Sequence, residues 1–158
     1  MPIVRLEINI SAPIERVFDL CRSVEVHVRS TAQTQEKAVS GVASGLLGLG
    51  DTVTWEATHL GFRQQLTSQI TVCEPPDFFQ DQMLRGAFSA FTHDHYFSAG
   101  NGVTLVKDRF EFESPFGLIG VLVDRVFLAE YMRQFLKMRL EVVKQIAESD
   151  EWRKYLDA

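Results

Sequence analysis

Cysteine is scarce in this chain: Cys21 and Cys73 are the two in 158 residues, too few for a disulfide framework. Cys21 falls in an apolar helical stripe and Cys73 at the end of a strand. Both read as buried thiols in a reducing compartment, and neither has a base at hand that would make it a nucleophile. Also missing is any run of like charges long enough to form a tail. A net charge of -5 and a pI near 5.4 speak against nucleic acid, whose phosphates need clustered Lys and Arg. No signal peptide is read, because "MPIVRLEINI" has no charged start followed by a continuous apolar core. Long hydrophobic runs are absent too. The most apolar stretch, "FGLIGVLVDRVFLAEYM", is broken by Asp124 and Arg125 and is too short to cross a bilayer. A cytoplasmic protein is therefore expected. The glycine-rich "SGLLGLG" lacks the Lys–Ser/Thr ending of a phosphate loop. No Ser/His/Asp arrangement can be assembled, and no zinc spacing with cysteines or an H-E-x-x-H helix occurs.

What is present is ordinary globular composition, 46% apolar and 23% charged, at a length that fits one domain, residues 1–158, around one core. "IVRLEINI" alternates as a strand with Val4, Leu6, Ile8 and Ile10 on one face. "SAPIERVFDLC" follows as a helix, with Pro13 and Glu15 in its first turn. "SVEVHVRS" has the alternating valines of a strand but the position of a short second helix. From Gln35 the period is two. "KAVSG", "DTVTWEATHL", "FRQQLTSQITV", "FFQDQML", "AFTHDHYFS" and "VTLVKDRFEFES" read as six strands. In the third of these Phe62, Leu66, Ile70 and Val72 are expected inward. From about Leu118 the period is helical again, with Phe127, Tyr131, Phe135 and Met138 on one stripe, followed by Val142, Val143 and Ile146. An antiparallel sheet with one polar face must bury the other, and the long helix is the only element big enough to cover it. A curved sheet closing on one helix leaves room for a cavity.

The stretches "ISAPIERVFDL", "GDTVTWEATHLG", "QITVCEPPDFFQDQM", "FTHDHYF", "GVTLVKDRFEFESPFGLIG" and "LKMRLEVVK" resemble those of the START, Bet v 1 and polyketide cyclase/dehydrase-like (SRPBCC) superfamily, in its small single-domain bacterial form. The resemblance covers nearly the whole chain. It implies an α+β helix-grip fold: a seven-stranded curved antiparallel sheet around a long C-terminal helix, with one or two short helices after the first strand. It also implies a cavity for apolar ligands and leaves activity open, since the superfamily includes carriers, receptors and cyclases.

With "AGNG" as the loop of the last hairpin, His93 falls opposite Asp108, His95 opposite Val106 and Phe91 opposite Phe110. Phe91, Phe97, Phe110 and Phe112 point inward, and so do His93, His95 and Asp108. Phe79, Asp81 and Met83 share that face on the preceding strand, and His59 joins from the end of the Trp55 strand. Four readings of this polar group stay open: a mutually satisfied buried network, the polar handle of a ligand pocket, an acid–base pair, and a metal site at the i, i+2 histidines. The last has the least support, and no cofactor is expected. Arg139 either pairs with an inward carboxylate or stays solvated. "SGLLGLG" and "SPFGLIGVLV" are either apolar gates over the cavity, with transient contact to a membrane surface, or loops that pack inward.

The expected function is binding or carriage of a hydrophobic small molecule: a lipid, isoprenoid, quinone or polyketide-like compound. Trp55, His59, Phe79, Met83, Phe91, Phe97, Phe110 and Phe112 would line its cavity, and Asp81, His93, His95 and Asp108 would orient its polar head. A cyclase or dehydratase with His93 and Asp108 as the acid–base pair and Asp81 beside them is the first alternative. A protein-interaction module with apolar gate loops is the second. Oligomeric state is not read from the sequence.

Overall fold

A computed structural model describes residues 1–114 and 127–156. The chain begins with β1 (Ile3–Ile10), α1 (Ile14–Cys21) and α2 (Val24–Ser30), followed by a 3₁₀ turn at Ala32–Thr34. Six strands come next: β2 (Lys37–Gly41), β3 (Thr52–His59), β4 (Phe62–Glu74), β5 (Phe78–Arg85), β6 (Ala90–Gly100) and β7 (Val103–Glu113). The long helix α3 (Ala129–Glu148), a 3₁₀ turn at Asp150–Trp152 and the short α4 (Arg153–Leu156) complete the described elements. All seven strands form one antiparallel sheet in the order β1-β7-β6-β5-β4-β3-β2. This is the α+β helix-grip architecture that the resemblance implied.

"SVEVHVRS" is a helix despite its valines. Ser23 caps it by accepting from the Val26 amide at 3.2 Å, Glu25 sits in the first turn, and Val24 and Val26 are buried. Propensity for strand is a weak prior, and packing against the core overrides it here. The glycine-rich loop is pinned to this corner. The Val24 amide donates to Gly45 O at 3.0 Å and the Leu47 amide to Arg22 O at 2.9 Å. Leu47 packs inward while Leu49 faces solvent.

The last hairpin is longer than the sequence suggests. It turns on Asn101 and Gly102 alone, both at positive φ (54° and 77°), with Gly100 paired to Val103. Asn-Gly suits the two-residue turn whose twist matches the strands. Four residues in the loop would leave Ala99 and Gly100 unpaired. The register therefore moves by two: His95 faces Asp108, His93 faces Phe110, Phe97 faces Val106 and Phe91 faces Phe112. A shift of two keeps every side chain on its face, so the inward set is unchanged while the pairs differ. A second difference lies in β4, where a bulge between Ile70 and Val72 advances the alternation by one. Cys73, paired with Phe79, takes the inward place expected for Val72.

Helix α3 lays Met132, Phe135, Leu136, Leu140, Val143, Ile146 and Ala147 against the sheet. Phe135, Val143 and Ile146 are as expected, and Tyr131 and Val142 are half-buried beside them. Phe127 and Met138 are instead exposed, and Met132, Leu136 and Leu140 take the buried stripe in their place. The helical segment expected from Leu118 to Val126 lies outside the described residues. Two apolar clusters result. The C-terminal half of α3 packs with α1, α2, Trp55, Phe79 and Phe97, and its N-terminal half with Val4, Phe91, Phe110 and Phe112.

Candidate functional site

Between these clusters the sheet and α3 enclose a cavity of about 360 Å³, within the range of small-molecule sites. Trp55 and Ala57 of β3, Leu66 of β4, Phe91 and Phe110 of the last hairpin, and Met132, Phe135 and Leu136 of α3 form its apolar wall. Leu60, Phe62, Phe88 and Leu128 line its outer end, where Phe62 is 71% exposed. Leu60 and Gly61 make a two-residue turn at positive φ, which pushes Leu60 and Phe62 out beside the opening. His59 lies near this end and meets the Tyr131 hydroxyl through Nδ1 at 2.8 Å. It does not reach His93. Burial lowers the His59 imidazole below its ordinary value and raises the Tyr131 hydroxyl.

Of the residues expected to line the cavity, Trp55, His59, Asp81, Phe91, His93 and Phe110 do so. Phe79, Met83, His95, Phe97, Asp108 and Phe112 stand behind them. Phe79, Phe97 and Phe112 fill the core, and Met83 packs on the Phe91 cluster. The glycine-rich loop contributes nothing to the lining, because its hydrogen bonds hold it at the α1–α2 corner. The other expected gate, "SPFGLIGVLV", lies outside the described residues beyond Ser114.

The inward polar residues form two groups. In the first, Asp108 holds both histidines. Its Oδ2 is 3.2 Å from His93 Nε2, and its Oδ1 lies 3.3 Å from His95 Nδ1 in an ion pair. The inner nitrogens turn to Asp81 Oδ1, His95 Nε2 at 2.9 Å and His93 Nδ1 at 3.9 Å. The two rings are tilted by 37° with centroids 3.8 Å apart, and His95 stacks on Phe79. Burial alone would lower the His95 imidazole, but the charge of Asp108 and the bond to Asp81 outweigh it and raise its pKa to about 9. His95 is the imidazolium of the group. Burial and the charge of His95 keep His93 neutral, below its ordinary value. Burial would raise both carboxyls, yet the histidines hold Asp81 and Asp108 below their usual range. Asp81, His93 and His95 each bring one ligating atom to within 4.8 Å of the others, but the bond from His95 to Asp81 already occupies that space.

The second group was largely missed by sequence reasoning. Glu36 follows Gln35, whose left-handed backbone (φ 53°) turns the chain into β2. Its Oε1 accepts from His27 Nε2 at 3.0 Å, and His27 lies flat on Trp55 with ring centroids 3.8 Å apart. Arg139 projects from α3 into the same cavity. Of the two expectations, the ion pair does not form among the described residues; the side chain is half-buried, and its buried Nε has no hydrogen-bond partner. Glu36 Oε2 is likewise buried without one. Burial would raise the Glu36 carboxyl, but His27 and Arg139 beside it hold it below its usual value. Burial and the charge of Arg139 lower His27, which is neutral. Arg139 was legible, since it sits three residues from Leu136 on the buried stripe. Glu36, alone before a short strand, carries no pattern.

No protein-family model and no curated protein sequence matches this chain. Solved structures do. Protein TTHA0849 from Thermus thermophilus is 19% identical with a TM-score of 0.75, over 91% of this chain and 95% of that one. Ginseng major latex-like protein 151 from Panax ginseng is 12% identical with a TM-score of 0.67, over 94% and 98%. Ara h 8.0201 is 13% identical with a TM-score of 0.61, over 90% and 97%. At these identities the likeness is one of fold. The fold shared with these structures is the helix grip, and activity does not follow from it. No helix among the described residues is long and apolar enough to cross a membrane.

Proposed function

We propose that this protein binds and carries a hydrophobic small molecule in the cavity between the sheet and α3. The observation that supports this most is an apolar cavity of about 360 Å³ left open in a core that could have been filled. Empty apolar volume costs stability, so a cavity of this size needs a reason. The exposed Leu60 and Phe62 at its outer end suit a passing contact with a membrane surface from which such a ligand is drawn. The cyclase or dehydratase reading comes second. His93 lines the cavity with its Nε2 on Asp108 and its Nδ1 3.9 Å from Asp81, too far for a hydrogen bond. It therefore offers a ring nitrogen, but the apolar volume beside it speaks first for binding. Native mass spectrometry of gently purified protein, with titration of the neutral apolar dye Nile red, is the test. A co-purified lipid-like species, or saturable uptake of one dye per chain, supports the reading. A bare mass with no saturable uptake overturns it.

A further inference from the structure

Asp81, His93, His95 and Asp108 lie against one another, and even Asp108 Oδ1, which makes no hydrogen bond, sits 3.3 Å from the positive His95 ring. Glu36 and Arg139 are different. Both line the cavity. Glu36 is 9% exposed, and its Oε2 and the Arg139 Nε are buried without partners among the described residues. A buried polar atom left unpaired costs far more than a satisfied one contributes, so each of these atoms is a demand placed on whatever enters. The demands are opposite: ionised Glu36 only accepts, and the guanidinium only donates.

We infer that the cavity selects a neutral amphiphile whose head group both donates and accepts a hydrogen bond, in the simplest case a hydroxyl, set against Glu36 and Arg139. This rests on the binding function proposed above and names its ligand class. A hydroxyl donates a hydrogen bond to Glu36 and accepts one from Arg139. A carboxylate can satisfy Arg139 alone, and an ammonium Glu36 alone. Local charge points the same way. Glu36, Asp81 and Asp108 carry three negative charges, against the positive charges of Arg139 and His95. The surroundings therefore hold one net negative charge, which repels an anionic head in a medium of low dielectric. His27 and His93 are neutral and do not change that balance.

The test is displacement of Nile red at pH 7.5 by two ligands of equal chain length, 1-dodecanol and dodecanoate. Dodecanol is expected to bind about tenfold more tightly, the worth of one hydrogen bond to a charged group. Glu36→Gln is expected to narrow that ratio by about threefold or more, by removing the repulsion. Should that variant fail to fold, Glu36→Leu with Arg139→Leu replaces both charges by apolar groups, a change that buried pairs tolerate. That protein should take up the dye and lose the preference. Equal or reversed affinities in the unmodified protein, or a preference untouched by the variants, would overturn the inference while leaving the binding function standing. Failure of the dye to bind at all would remove both.

Discussion

Around Asp108 all four imidazole nitrogens lie within 3.9 Å of a carboxylate oxygen. Around Arg139, across the same cavity, a guanidinium nitrogen and a carboxylate oxygen have no partner. Both groups mix charges of opposite sign, and both carry buried polar atoms. The first is closed by ion pairs, which reach even Asp108 Oδ1, an oxygen without a hydrogen bond, and belongs to the framework. The second is open, since Arg139 touches no carboxylate among the described residues, and belongs to the contents. A buried network that satisfies itself fixes strand register and tolerates little change. A buried pair held apart is unstable as it stands and gains by admitting a third party.

The sharpest way to break this contrast is to remove the centre of the closed group. Asp108→Ala leaves a buried imidazolium without its main counter-charge and is expected to cost about 3–5 kcal/mol, read from urea unfolding. A loss below about 1 kcal/mol would mean that the network is not structural. Next comes pH. His95 is raised from its ordinary 6.5 to about 9, so its stabilisation is complete below pH 6.5 and disappears as pH rises through 9. The groups facing it are Asp81, Asp108 and His93. About 3 kcal/mol is at stake. The unmodified protein should lose melting temperature between pH 6.5 and 9, and His95→Gln should not; parallel profiles would contradict the assignment.

The open group should behave otherwise. Arg139→Leu alone takes the nearby cation from buried Glu36, leaving it the His27 bond. It should destabilise by more than the double change of Glu36 and Arg139 to leucine, whose remaining cost of about 1–3 kcal/mol is His27 Nε2 left without an acceptor. Unfolding curves of the three proteins decide it, and a double variant worse than the single would make the pair a structural one. The smallest effect is expected at the rim. Phe62→Ser should change stability by no more than about 0.5 kcal/mol while slowing uptake of dye from lipid vesicles. Unchanged uptake would take the rim out of ligand entry.

The face of each strand in the last hairpin was legible because the period of two survives any even error in register. The partners were not, since they depend on turn length, and the Asn101–Gly102 pair was the cue that fixes it. The bulge in β4 hid the inward turn of Cys73, because an extra residue leaves no mark in an alternating pattern. The valines of α2 pointed to a strand until Ser23 and the packing of Val24 and Val26 were in view. In the site, strand order placed Asp81 beside Phe91 or His93, and the register of β5 on β6 makes it His93. Glu36 did not, because a single residue in a tight connection is positioned by a backbone angle at Gln35 that no periodicity encodes.

The stack of His27 on Trp55 has a practical side. Of the two tryptophans in the chain, Trp152 rests between Arg16 and Arg153 at the periphery, while Trp55 borders the cavity. Indole emission shifts with the polarity of its surroundings. With Trp152→Phe the protein becomes its own single-emitter sensor, in which occupancy of the cavity is read as colour, without a dye that competes for the space being measured.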